Sequence, residues 1–209
     1  MKKIISAYQV KQAAKHKKII LSDAQTLITP EARDLAGQLG VLIQQQSPQP
    51  KSTLLHDIYP VKVVAIASDH GGFELKTKLV AYLRELGYIA HDLGPANDRA
   101  CDYPDYAFKV AEAVSEGKVD RGIMIDSVGI GSAMAGNKVQ GVLAAKCNNT
   151  LEAKSAREHN YANVLTLGAR VIGVEMAKAI VRAFLETPGG VERHRNRVQK
   201  ILDYSDSNK

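Results

Sequence analysis

Residues 122–132, Gly-Ile-Met-Ile-Asp-Ser-Val-Gly-Ile-Gly-Ser, constrain this chain more than any other stretch. The apolar run Ile123 to Ile125 reads as a strand buried on both faces. It ends in an acid, Asp126, and then in a turn built from Gly129 and Gly131, with Ser132 placed to cap a short helix through Lys138. Strand, glycine turn and helix start together leave backbone N–H groups pointing beyond the strand end, where an anion is favoured. Asp126 stands at the lip of that place.

The pattern around this stretch is strand alternating with helix. Val61–Ala67 reads as a strand that ends at Ser68-Asp69-His70-Gly71-Gly72, followed by a helix from about Phe73 to Leu86. Leu75, Leu79, Leu83 and Leu86 lie on one face of it, and Gly87 stops it. Further strands are expected at 88–93, 141–146 and 164–167. Further helices are expected from Pro104 to Gly117, from Leu151 to about Glu158, from Glu175 to Leu185 and from about Val191 to Tyr204. This alternation predicts a doubly wound, Rossmann-like α/β domain: a five-stranded parallel sheet with helices on both faces. Ligands of such sheets sit beyond the carboxyl ends of the strands. No internal repeat is apparent.

Residues 1–46 read as a small α/β extension. Ser6 and Gln9 suit a capping box for a helix to Lys15, and Thr29-Pro30-Glu31 is a helix start that Gly40 closes. Short strands are expected at 18–21 and 41–43. Residues 47–60 have linker composition, and 61–209 form the main domain. An extension this small needs something to dock on.

Composition removes several function classes. No apolar run reaches the ~20 residues of a membrane span. The apolar start at Met1 is cut short by Ser6-Ala7-Tyr8-Gln9, unlike a secretion signal. Two cysteines, Cys101 and Cys147, make no disulfide framework, which suits the cytoplasm. The net charge of +6 invites nucleic acid, but Lys11, Lys15, Lys17 and Lys18 have the pattern of a solvated face. No zinc-finger or RNA-binding motif accompanies them, so neither a nucleic-acid nor a membrane partner is expected.

Gly129-Ile-Gly131 lacks the third glycine of a dinucleotide fingerprint, and Gly131 to Lys138 misses the phosphate-loop spacing by one residue. The stronger signal is a set of polar groups at strand ends: Asp69-His70, Tyr103, Asp126, His159-Asn160 in the turn before the fifth strand, and Arg170. Each has a plainer reading, Asp69 as a helix cap and His159 as a favourable helix end. Their gathering at one sheet edge is harder to explain that way. Arg193 and Arg197, four residues apart, share a helix face and make either a phosphate clamp or a solvated basic face.

Seven pieces, in order, carry a resemblance. They are Ser68-Asp-His-Gly-Gly72, Asp102-Tyr-Pro-Asp-Tyr-Ala107, Gly129-Ile-Gly131, Asn137-Lys138, Arg157-Glu-His-Asn160, Gly168-Ala-Arg-Val-Ile-Gly173 and Arg193-His-Arg-Asn-Arg197. With them, residues 61–202 resemble the ribose-5-phosphate isomerase B and galactose-6-phosphate isomerase (LacA/LacB) family. The resemblance implies a doubly wound fold, a dimer or tetramer of identical chains with sites shared between subunits, a sugar phosphate as substrate, and no metal or organic cofactor.

It also implies roles. Asp69 and His70 hold sugar hydroxyls or open the ring. Ser127, Val128, Gly129, Ile130 and Gly131 wrap the reacting end and steady an enediolate. His159 is the general acid with Asn160 beside it. Arg170, Arg193 and Arg197 bind phosphate, and Tyr103 and His194 line the pocket. The chain departs from the pattern at Asp126, where a cysteine usually abstracts the proton. It departs again at Ser132, where a second branch has glutamate, and at Val128, often threonine. Ile123-Met-Ile-Asp126 resembles the LacA subunit, which works with a LacB partner. An ordinary aspartate, with a pKa of ~3.9, is a weak base. Three roles for Asp126 therefore stand: base, ligand for a sugar hydroxyl, or marker of a silent subunit. Thr29–Ala36 with Gly40-Val41 resembles short segments at the start of some bacterial microcompartment enzymes. That implies an encapsulation or docking role toward a shell; an oligomerisation appendage is the alternative.

Overall fold

The computed structural model describes residues 4–16, 19–22, 26–45 and 59–207. Lys17, Lys18 and nearly all of the expected linker lie outside the described residues. The chain divides into two compact units, Met1–Thr53 and Leu54–Lys209.

In the first unit, β1 (Ile4–Ile5), α1 (Ala7–Lys15) and β2 (Ile20–Ser22) are followed by β3 (Leu27–Ile28), α2 (Pro30–Leu39) and β4 (Ile43–Gln45). The Ser6/Gln9 capping box is present. Thr29 caps α2 by accepting from Ala32 N, and Gly40 ends α2 in the left-handed conformation. β1 pairs in parallel with β3, and β2 with β4.

These pairings overturn the expectation of no repeat. Leu27 lies 23 residues after its partner Ile4, and Ile43 lies 23 after its partner Ile20. The unit is one strand–helix–strand coil laid beside a second at a constant offset. At that offset only Ile5/Ile28, Ala13/Ala36 and Ile20/Ile43 are identical, too few to show in the sequence. The shared core is Ile5, Val10, Ala32 and Ala36.

The second unit has the predicted doubly wound architecture. Its elements are β5 (Val63–Ser68), α3 (Phe73–Glu85), β6 (Ile89–Asp92), α4 (Tyr103–Ser115), β7 (Arg121–Asp126), α5 (Ile130–Gly136), β8 (Ala144–Lys146), α6 (Thr150–Asn160), β9 (Val164–Gly168), α7 (Val174–Glu186) and α8 (Glu192–Ser207). The five strands are all parallel, in the order β6-β5-β7-β9-β8. Ile66, Ile123, Ile125 and Leu165 pack with Leu79 of α3, Ala153 of α6, and Ile180 and Phe184 of α7. Ala65, Ala67 and Met124 pack with Val110 and Ala111 of α4 and Ala135 of α5. Alternate residues of each strand thus feed opposite cores, which is why both faces carry helices.

Several boundaries differ from expectation. α5 starts at Ile130, capped by Gly129 at φ 84°, so Ser132 lies inside the helix rather than before it. β8 starts at Ala144 because Leu143 N is held by the Asn163 side chain. α6 runs through Asn160 because Tyr161, not a glycine, adopts the left-handed conformation that ends it. His159 and Asn160 therefore belong to the last turn of α6, not to a turn.

Candidate active site

The chain leaves β5 and β7, adjacent central strands, in opposite directions across the sheet. The crevice above their carboxyl ends is where a doubly wound sheet takes a ligand. Asp69 and His70 follow β5, Asp126 to Gly131 follow β7, and Arg170 follows β9.

Backbone contacts lock these three segments together. Asp69 N donates to Ile125 O at 3.0 Å, Ala169 N to Asp126 O at 2.9 Å, and Arg170 N to Ser127 O at 3.0 Å. The buried Asp69 carboxylate accepts from Gly72 N at 2.9 Å, so it does cap the turn after β5. Ser127 lies against Gly71, where a Cβ would be 2.5 Å from its Oγ. Tyr103, the first residue of α4, lays its ring over Gly131 at 2.6 Å from a Cβ position. Gly168 faces the Val128 backbone at 2.5–2.9 Å from where its Cβ would stand. Backbone cannot swing aside as a side-chain tip can. Gly168→Ala is therefore expected to cost about 1–3 kcal/mol and to displace the 127–131 turn. A urea midpoint lowered together with turnover checks this.

His70 is exposed, and its Nδ1 lies 3.2 Å from Cys101 O and 3.4 Å from Cys101 N. Nδ1 donates to the carbonyl in one tautomer and accepts from the Cys101 N–H in the other, and in either Nε2 is left for a ligand. A cavity of about 470 Å³ runs from His70 to Arg170, with Lys78, Glu74 and Asp98 on its wall. A second, of about 480 Å³, continues past His70 to Cys101, Tyr106 and Lys109. Among the described residues, no group of three His, Cys, Asp or Glu is placed to hold a metal ion.

Asp126 is 5% exposed and its carboxylate is fully engaged. Oδ1 accepts from Val128 N at 2.7 Å and from Gly129 N; Oδ2 accepts from Ser132 N at 3.0 Å and from Ser132 Oγ. The turn's N–H groups, expected to face an outside anion, are thus directed to the chain's own. Ile130 and Gly131 remain in the first turn of α5, where the helix itself supplies no acceptor. Sequence reasoning missed the partnership with Ser132; an acid followed six residues later by a serine was its one trace. Val128 and Ile130 are exposed at the mouth, 43% and 49%.

The remaining candidates gather elsewhere, on α6 and α8. The imidazoles of His159 and His194 stack with centroids 4.5 Å apart, and Ser155 Oγ lies 3.3 Å from His159 Nδ1. Arg193 Nε donates to His194 Nε2 at 3.4 Å. Burial pushes the His194 pKa below its ordinary value, and His159, Arg193 and Arg197 push it the same way. His194 is thereby held toward its neutral form. Arg193, Arg197, His159 and Asn160 are exposed. Among the described residues, no hydrogen bond, ion pair or ring contact links this group to the strand-end cluster.

Neither cysteine is among the hydrogen-bond partners of Asp126. Cys147 is buried, and burial pushes its thiol up to about 12. Folded protein at pH 8 is expected to consume one equivalent of a disulfide reagent, the partly exposed Cys101 forming a mixed disulfide and displacing the reagent's thiolate, and two equivalents after unfolding.

A crevice at the switch point of a doubly wound sheet, rimmed by histidine, tyrosine, acid and arginine, defines a small-ligand α/β protein of the enzyme kind. A family model described as Ribose/Galactose Isomerase matches residues 64–201, and the chain belongs to that family. It is 44% identical over 146 residues to the putative sugar phosphate isomerase YwlF of Bacillus subtilis, covering 69% of this chain and 98% of the relative. It is 43% identical over 141 residues to ribose-5-phosphate isomerase B of Escherichia coli, covering 68% and 95%. The solved structure of Clostridium thermocellum ribose-5-phosphate isomerase B superposes with a TM-score of 0.69 at 43% identity, covering 70% of this chain and 99% of that one.

Proposed function

We propose that the chain interconverts an aldose and a ketose phosphate, ribose 5-phosphate and ribulose 5-phosphate or a related pentose or hexose phosphate, through a cis-enediolate. The observation that carries this is the convergence of Asp69, His70, Tyr103, the 126–131 turn and Arg170 at one switch point. His70 takes a hydroxyl proton as the ring opens. Asp126 moves the proton between C1 and C2, and the first N–H groups of α5 steady the negative oxygen. Of the four donors on Asp126, three are backbone groups fixed by the turn. The Ser132 hydroxyl alone can rotate away and free a lone pair for the carbon acid. His159 acts as general acid, with Asn160 beside it. Arg170, Arg193 and Arg197 take the phosphate, while His194 and Tyr103 line the walls.

The separation of the α6–α8 group from the strand-end group within one chain supports a site completed by a second copy, in a dimer or tetramer of identical chains. One observation favours a second reading, a sugar-phosphate-binding subunit that needs a homologous partner for turnover: every lone-pair direction of Asp126 is taken. A coupled assay over ribose 5-phosphate, allose 6-phosphate and galactose 6-phosphate tests the first reading. Turnover of one of them is expected; binding without turnover would transfer the case to the second. A cytoplasmic location, which the cysteine usage supports, belongs to the same proposal, as does a microcompartment with the first unit docking on a shell, which rests on the sequence resemblance alone.

A further inference from the structure

The two coils of the first unit meet in register, β1 on β3, β2 on β4 and α1 against α2. Stacked repeats of this kind bury a continuous core only by adding neighbours, and two coils are fewer than such stacks ordinarily need. Apolar residues show at matching positions along the faces of the stack, a row that a further coil would continue. Ile4 and its partner Leu27 are 52% and 54% exposed; Ile19 and Leu42, again 23 apart, are 53% and 69% exposed. Each sheet has two strands, so among the described residues each strand has one edge without a ladder partner, and such edges accept another strand.

The two ends of the stack also differ in charge. α1 carries exposed Lys11 and Lys15 and no acid; α2 carries exposed Glu31 and Asp34 beside Arg33. Lys11 and Asp34 occupy equivalent positions, 23 residues apart.

We infer that the first unit is a self-association module. The second coil of one chain receives the first coil of another copy, continuing the 23-residue stack head to tail. β3 and β4 would then extend onto the next copy's β1 and β2. Acidic α2 would lie against basic α1, so the contact within the chain is repeated between chains. Such a contact is heterologous and propagates rather than closing on itself. It is also weakened by salt.

Sedimentation velocity of the full-length protein over a rising concentration series is the test. The wild type is expected to grow beyond its smallest species, and less so at 0.5 M salt. Lys11→Glu and Asp34→Lys, each setting like charges face to face, are expected to raise the midpoint concentration about tenfold, equivalent to ~1.4 kcal/mol. An equimolar mixture of the two variants should recover wild-type growth, because the introduced acid meets the introduced base. That recovery also shows that both variants are folded. A wild type that stays one size throughout, or single variants that assemble as it does, would overturn the inference and assign the exposed ladder to a different protein.

Discussion

Asp126→Asn is expected to lower kcat on the preferred sugar phosphate by 10²–10⁴-fold, on the order of what positioned acid–base groups contribute, with KM little changed. The amide has the wrong polarity for its surroundings. Oδ1 and Oδ2 face only donors, Val128 N and Gly129 N on one side, Ser132 N and Oγ on the other. An –NH₂ in either place opposes a donor, so the turn is expected to loosen as well, at about 1–3 kcal/mol for the unmet buried groups. A second variant separates the two effects. Asp126→Cys places a thiol where the resemblance puts one, and it releases the same N–H groups without opposing them. If Asp126 is the base, the thiol variant retains turnover well above the asparagine variant. If the subunit is silent, wild type shows none and the thiol variant gains it. Wild-type turnover in Asp126→Asn would remove Asp126 from the chemistry.

The second large effect concerns the other end of the substrate. Arg193→Ala or Arg197→Ala is expected to raise KM on the order of 10²-fold, since losing one partner of a charge-assisted pair costs roughly 2–5 kcal/mol, with kcat less affected. Arg193→Lys should not restore it, because a point charge does not reproduce the guanidinium fork. The shared-site proposal adds a sharper outcome. Mixing Asp126→Asn with the double arginine variant, each inactive alone, should return about a quarter of wild-type activity: random pairing makes half the dimers mixed, each with one intact site of two. No recovery after subunit exchange would place both groups in one chain's site.

Much of this arrangement was legible in the sequence, for identifiable reasons. The leucines of α3 repeat at helical spacing, and Thr29-Pro30 announces a helix start. The apolar run before Asp126 reads as a strand buried on both faces, and β7 is one. Those are local rules, and they placed the elements to within a few residues. What stayed hidden depends on where the chain turns in space. Tyr161 ends a helix that a glycine would have marked. The direction of the Asp126 carboxylate follows from Gly129 taking φ 84° and folding the turn's N–H groups inward. The 23-residue repeat lives in strand register rather than residue identity.

Proton transfer at the sugar carbons by the group at position 126 is read by proton NMR of the sugar phosphate in deuterated water. With the wild-type protein, deuterium is expected at C2 of the aldose and C1 of the ketose. In Asp126→Asn both the isomerisation and the labelling are expected to fall while phosphate binding persists. Isomerisation and labelling at the wild-type rate by the asparagine variant would show that the proton is carried by another group.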